Sequence, residues 1–190
     1  MRHPYLYILL LCCLLWPSCP VHAKKGEPSP EVKDIIVTTS DTDLLFFATV
    51  RNAFNQALRE DIDRGVPIAF TFRLELAKSR SGWLDSSLVK TEITHTLSYN
   101  PDSREYTVVL SEQPNKKLCT PNPELAKQAM AELNGIRLIP LSRLAPDAPY
   151  SIRIKATLKQ GNLPLGMARV LPFSSLWNFE TDWRTIEFRY

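Results

Sequence analysis

A segment near the middle of the chain has the strict two-residue alternation of a half-buried β-strand. In residues 66–76 the even positions carry large apolar side chains, and the odd positions from residue 69 onward carry small, polar or charged ones. Because successive side chains of a strand point to opposite faces, one face of this strand is directed to a core and the other to solvent. Pro67 lies at the start of the segment, where a strand tolerates proline. Such a strand requires a second layer of structure.

The remaining chain supplies further strands, which follow one another with turn sequences between them. The alternation recurs most clearly in residues 148–159 and 185–190. Strands are predicted at residues 34–39, 44–50, 66–76, 87–99, 104–111, 136–141, 148–159 and 185–190. Residues 100–103 predict a hairpin loop with Tyr99 opposite Arg104, which places His95 opposite Val108.

Two helices are predicted between the strands. The first begins at the cap Asn52 and ends at Gly65, and the second begins at Asn122 with Pro123 in its first turn and ends at Gly135. Both carry an apolar stripe at helical spacing, so we expect each to cover part of a sheet.

The order of elements predicts a mainly β, antiparallel, immunoglobulin-like β-sandwich with two inserted or capping helices. The alternative is an α+β fold, in which one curved antiparallel sheet is backed by the two helices. We expect a flexible spacer at residues 24–32 and a single domain at residues 33–190.

The start of the chain has the pattern of an export signal. A short basic end precedes an apolar run at residues 5–16, which is shorter than the roughly 20 residues of a membrane-spanning helix. We expect a signal peptide at residues 1–23, cleaved between Ala23 and Lys24, and a periplasmic or secreted protein. An uncleaved inner-membrane anchor and a lipoprotein modified at Cys19 are the alternatives.

Charge and cysteine content limit the classes of function. The net charge is +3, and basic residues are interspersed with acidic ones, which argues against a nucleic-acid partner. After cleavage only Cys119 remains of the four cysteines, so no internal disulfide is expected. We interpret Cys119 as a half-buried, small hydrophobic residue before a loop.

Few residues offer chemistry. His95, which would be the only histidine of the mature chain, falls on the apolar face of its strand, and we interpret it as structural rather than catalytic. Two carboxylate pairs, Asp61 with Asp63 and Glu180 with Asp182, are as consistent with turns and solvated faces as with a glycosidase site. No catalytic, cofactor or metal motif is recognised.

Three tryptophans are the candidate binding residues. Trp83, Trp177 and Trp183 lie near the ends of predicted strands, where they could form a platform that stacks on sugar rings or docks a partner. Alternatively they close the ends of the sandwich.

Two motifs resemble an exported bacterial family, the domain of unknown function 4390. These are S-L-W-N-F-E-T-D-W-R-T-I-E-F-R-Y at residues 175–190, preceded by L-P-L at residues 163–165, and R-G-V-P-I-A-F-T-F-R-L-E-L at residues 64–76. The spacing to Trp83 is similar as well, although Leu84 stands where many relatives carry a second tryptophan. The resemblance implies an exported protein without an established activity, and relatives encoded beside a membrane sensor kinase suggest envelope signalling.

Together these observations predict an exported cell-envelope protein that binds an envelope protein or a cell-wall component without catalysis. The alternatives are a hydrolytic enzyme and a carbohydrate-binding module that uses the tryptophan-rich end.

Overall fold

The computed structural model describes residues 28–79, 85–160 and 178–190. The strands in this part of the chain are β1 (Glu31–Thr39), β2 (Asp43–Arg51), β3 (Ile68–Lys78), β4 (Ser86–Asn100), β5 (Glu105–Leu110), β6 (Lys117–Thr120), β7 (Glu132–Pro140), β8 (Pro149–Gln160), β9 (Phe179–Glu180) and β10 (Arg184–Arg189). The helices are α1 (Gln56–Asp63) and α2 (Pro123–Ala131).

The strands form two antiparallel sheets. The small sheet has the order β1-β2-β7, and the large sheet has the order β10-β8-β3-β4-β5-β6, with β9 also paired to β8. Buried residues of both sheets and both helices belong to one apolar cluster. The prediction of a mainly β, sandwich-like fold with two helices is therefore confirmed, while its immunoglobulin-like detail stays a prediction.

The strand β3 lies at the centre of the large sheet, between β4 and β8. Its apolar side chains face the core as predicted, and those of Phe70 and Phe72 are 0% exposed. Its polar side chains lie on the outer face, where Arg73 pairs with Glu92 and Glu75 pairs with Arg153. The alternation of residues 66–76 thus defines which face of the large sheet is buried.

The predicted register of the β4–β5 hairpin is wrong by two residues. Tyr99 pairs with Tyr106 rather than with the predicted Arg104, and His95 pairs with Leu110 rather than with Val108. Asn100 belongs to the strand, where it pairs with Glu105 and its side chain accepts hydrogen bonds from the loop. Because side chains alternate with a period of two, this shift leaves every residue on its predicted face.

The first helix begins later than predicted. Asn52 adopts a φ of 58°, which does not suit an N-cap, and the cap is Asn55, whose side chain accepts a hydrogen bond from the Leu58 amide. In the second helix the predicted cap Asn122 and the first-turn Pro123 are confirmed.

The second helix ends earlier than predicted, at Ala131 instead of Gly135. Leu133 belongs to β7 and pairs with Ala48 of β2. The pairing with β2 gives the backbone of this segment hydrogen-bond partners outside the helix, so the apolar pattern continues while the secondary structure changes.

The ends of the domain also differ in detail from the prediction. The strand β1 begins at Glu31, inside the expected spacer, because Val32 is buried in the core. The predicted C-terminal strand is confirmed as β10, which pairs with β8 at the edge of the large sheet. No helix of the described residues is long and apolar enough to cross a membrane.

Candidate functional site

A cleft of about 660 Å³ lies between β4 and β7 and is closed at one end by the turn that follows β5. We call it the β4–β7 cleft. The side chains that line it include Val89, Thr91, Ile93, Glu112, Arg137 and Leu138.

The cleft exists because β4 is longer than β5. The strand β5 pairs with β4 only from His95 to Asn100. Beyond that point the amide of Ser111 donates to the carbonyl of Thr94, the hydroxyl of Ser111 accepts from the amide of Thr94, and the chain then turns away. Among the described residues, the part of β4 before Thr94 is therefore paired on one side only, with β3.

The orientation of the free backbone groups follows from Thr94. In an antiparallel sheet the N–H and C=O of one residue point to the same neighbouring strand, and successive residues alternate. Since both groups of Thr94 point to the side of β5, those of Glu92 and Lys90 point to the same, open side. No backbone group in the described part of the chain pairs with them there.

His95 lies beside the cleft but is itself fully buried, with a side chain that is 0% exposed. Its Nδ1 lies 3.1 Å from the carbonyl oxygen of Met130, at the end of α2, and its Nε2 lies 3.1 Å from Oε1 of Glu112. The ring of Phe72 packs edge-on against it at 5.0 Å. A carbonyl can only accept, so Nδ1 is the donor in that contact. The predicted position of His95 on the apolar face is confirmed, and neither ring nitrogen is free to meet a substrate.

Glu112 joins the buried His95 to the cleft. One carboxylate oxygen contacts His95, and the other is buried without a hydrogen-bond partner. Sequence reasoning missed Glu112, since an acidic residue just after a strand has no distinguishing pattern. Only the two-residue correction of the hairpin register brings it to His95.

We expect Glu112→Ala to lower the free energy of unfolding by about 1–3 kcal/mol, because Nε2 of His95 would be left buried without a partner. Glu112→Gln should cost less, since a glutamine side chain can either accept a hydrogen bond from Nε2 or donate one to it. Chemical denaturation of the three proteins measures both changes. Equal losses in the two variants would contradict the role of this hydrogen bond.

Of the three candidate tryptophans, Trp183 is the one that lies within the described residues. Its side chain packs over the Arg153 guanidinium at 4.7 Å and the Lys155 ammonium at 5.2 Å, on the outer face of the large sheet. The residue is 36% exposed. Trp83 and Trp177 lie outside the described residues, as do Ala23 and Lys24. The tryptophan platform and the cleavage site therefore stay predictions.

The first of the two carboxylate pairs is divided between separate contacts. Asp61 is buried and pairs with Arg64, while Asp63 accepts a hydrogen bond from the Tyr106 hydroxyl at 3.4 Å. Burial, followed by the neighbouring carboxylate of Asp63, raises the pKa of Tyr106. Asp61 thus contacts a guanidinium group and Asp63 contacts a phenol, so the two acids take part in different interactions.

The second carboxylate pair is divided as well. Glu180 pairs with Lys155 on the outer face of the large sheet, and Asp182 is exposed. Neither acid lines the β4–β7 cleft.

The interpretation of Cys119 as half-buried is wrong. Cys119 is an exposed free thiol on β6, with its Sγ 3.8 Å from the hydroxyl of Thr107. The strand β6 is an edge strand, and its buried side chain is that of Thr120. Since neighbouring residues of a strand face opposite ways, burying Thr120 turns Cys119 toward solvent.

Two antiparallel sheets and two helices around one core define a mainly β domain of the sandwich type. Residues 27–187 match a protein family described as a domain of unknown function (DUF4390), and the chain belongs to that family. The resemblance noted in residues 64–76 and 175–190 is thereby confirmed. No curated protein and no solved structure matches the chain.

Proposed function

We propose that this protein is an exported, non-enzymatic module of the bacterial cell envelope that binds a partner protein, in a role connected with envelope signalling. The observation that carries the proposal is the β4–β7 cleft, a polar-rimmed groove beside strand backbone that has no pairing partner among the described residues. Exposed backbone of this kind is a recurrent site of protein recognition.

The geometry of His95 favours binding over the hydrolytic alternative. A general base must reach the proton that it removes with a free ring nitrogen. Both nitrogens of His95 are engaged within the fold, by Met130 and Glu112. The carbohydrate alternative rests on Trp183, whose indole is partly exposed above two cations.

Export rests on the apolar segment at residues 5–16, and it makes a prediction about processing. We expect the protein recovered from cells to begin at Lys24, because the residues before it fit the small-x-small rule of signal peptidase. N-terminal sequencing measures this directly. A chain that begins at Met1 would indicate an uncleaved anchor, and one that begins at Cys19 would indicate a lipoprotein.

In vivo cross-linking tests the binding function. A photo-reactive amino acid in place of Arg137, which lines the cleft, is compared with one in place of Glu187, which is exposed on β10 at the far edge of the large sheet. We expect a discrete adduct with one envelope protein from position 137 and none from position 187. The same adducts from both positions, or none from position 137, would overturn the proposal.

A further inference from the structure

Among the described residues, the strand segments with an open edge include β1, β7, β6, β10 and the part of β4 before Thr94. The edge of β10 is regular, but it lies away from the residues that line the β4–β7 cleft, and three of the other edges are blunted. The register of β1 shifts between Lys33 and Ile36, and that of β7 shifts at two places along β2, which marks bulges. The edge strand β6 is short, spanning Lys117–Thr120. Bulges and short length are the features by which edges avoid pairing with other chains.

The free part of β4 is different because it belongs to a strand that continues into the centre of the large sheet. The register of β4 against β3 shifts at Leu88, so the regular free part comprises residues 89–93, which extend over roughly 17 Å, about the length of an ordinary strand. The open side presents the N–H and C=O groups of Lys90 and Glu92, as derived above from the contacts of Thr94. These groups form hydrogen bonds best with another extended backbone.

The charges around this edge are not balanced. Glu92 is hydrogen-bonded to Arg73 at 2.6 Å, and Glu112 is engaged with His95. Among the described residues, Lys90 on the edge and Arg137 in the cleft have no ion-pair partner. The charge left for a ligand is therefore positive, which favours an acidic partner.

We infer that the β4–β7 cleft binds an extended, acidic segment of a partner polypeptide as an additional strand on the free edge of β4. The segment has apolar side chains at alternate positions, which enter the cleft beside Val89, Ile93 and Leu138. An acidic side chain on its other face lies next to Lys90. This inference rests on the proposed function and specifies its binding mode.

Displayed random peptides of about nine residues, the length of a long strand, provide the probe. Selection on the purified full chain is expected to enrich alternating apolar residues with an acidic residue at an intervening position. The best peptide is then synthesised with single N-methyl groups along its backbone. An N-methyl group on a peptide amide that points toward β4 should weaken binding about tenfold, the loss expected for one or two hydrogen bonds. An N-methyl group on the amides between them, which point away from β4, should change the affinity little.

Two variants of the protein form a matched pair. Lys90→Pro removes the amide on the open side without removing a hydrogen bond to β3, and Lys90→Ala removes only the charge. We expect Lys90→Ala to weaken the selected peptide a few-fold and Lys90→Pro by about tenfold more. Because Lys90→Pro can fail to fold, circular dichroism accompanies the measurement, and the N-methyl series on the unaltered chain stands without it.

The outcomes separate the binding mode from the function. If N-methylation at every position is tolerated, or if folded Lys90→Pro binds as Lys90→Ala does, strand addition is wrong. The proposed function still stands in that case if the cross-link from position 137 is found. If no peptide is enriched and position 137 gives no adduct, both are overturned.

Discussion

Phe72→Ala is expected to lower the free energy of unfolding by about 3–5 kcal/mol, the usual cost of removing an aromatic ring from a packed core. Phe72 is fully buried at the centre of β3 and pairs with Ile93 on one side and Ala156 on the other. Its ring also packs against His95. The substitution therefore creates a cavity and loosens the contact that holds the buried imidazole.

The matched control is the next residue along the strand. Arg73 lies on the outer face, where its ion pair with Glu92 is largely exposed. Arg73→Ala should cost less than about 1 kcal/mol, as exposed ion pairs contribute little. Denaturant unfolding of both variants gives the comparison, and equal losses would show that the faces of β3 have been assigned wrongly.

Deletion of residues 185–190 is expected to give unfolded or aggregated protein. The deletion removes nearly all of β10 and leaves one edge of β8 without a partner along Pro149–Arg153. It also removes Phe188, which stacks on the buried Tyr150 at 5.7 Å, and the carbonyl of Tyr190, which accepts from the Asp147 amide. An exposed, alternating edge of this kind promotes association with other chains.

The control for this deletion is Glu187→Ala, on the same strand. Glu187 is exposed and pairs with Ser151 through the backbone. The free energy of unfolding of the Glu187→Ala protein should therefore change by less than about 0.5 kcal/mol. Size-exclusion chromatography and thermal melts measure both proteins. A truncated chain that remains monomeric and melts like the full chain would mean that β10 adds little to the large sheet.

The candidate site shows how far sequence reasoning extends. The burial of His95 follows from the alternation of β4 and was predicted. Its partners do not follow from any local pattern, because Met130 and Glu112 reach it only through the docking of α2 and the loop after β5. The same is true of the free edge of β4, which depends on where β5 stops.

The sequence therefore predicted neither Glu112 nor Arg137 as a site residue, and the predicted binding residues were the three tryptophans. Of these, Trp183 lies on the outer face, away from the residues that line the β4–β7 cleft. Aromatic residues stand out in a sequence because they are large and rare. A cleft depends instead on the distance between two sheets, which no single residue type signals.

By itself, the sequence determined the class of fold, the position of the central strand and the buried face of the clearly alternating strands β3, β4 and β8. Those properties depend on the two-residue alternation of side chains, and an error of two residues in the β4–β5 register leaves each side chain on the same face. Only the tertiary structure decided that register, the end of α2 at Ala131 and the opening between β4 and β7. Each of these depends on which backbone groups find partners in distant strands, such as Leu133 on Ala48, and local preference does not encode that competition.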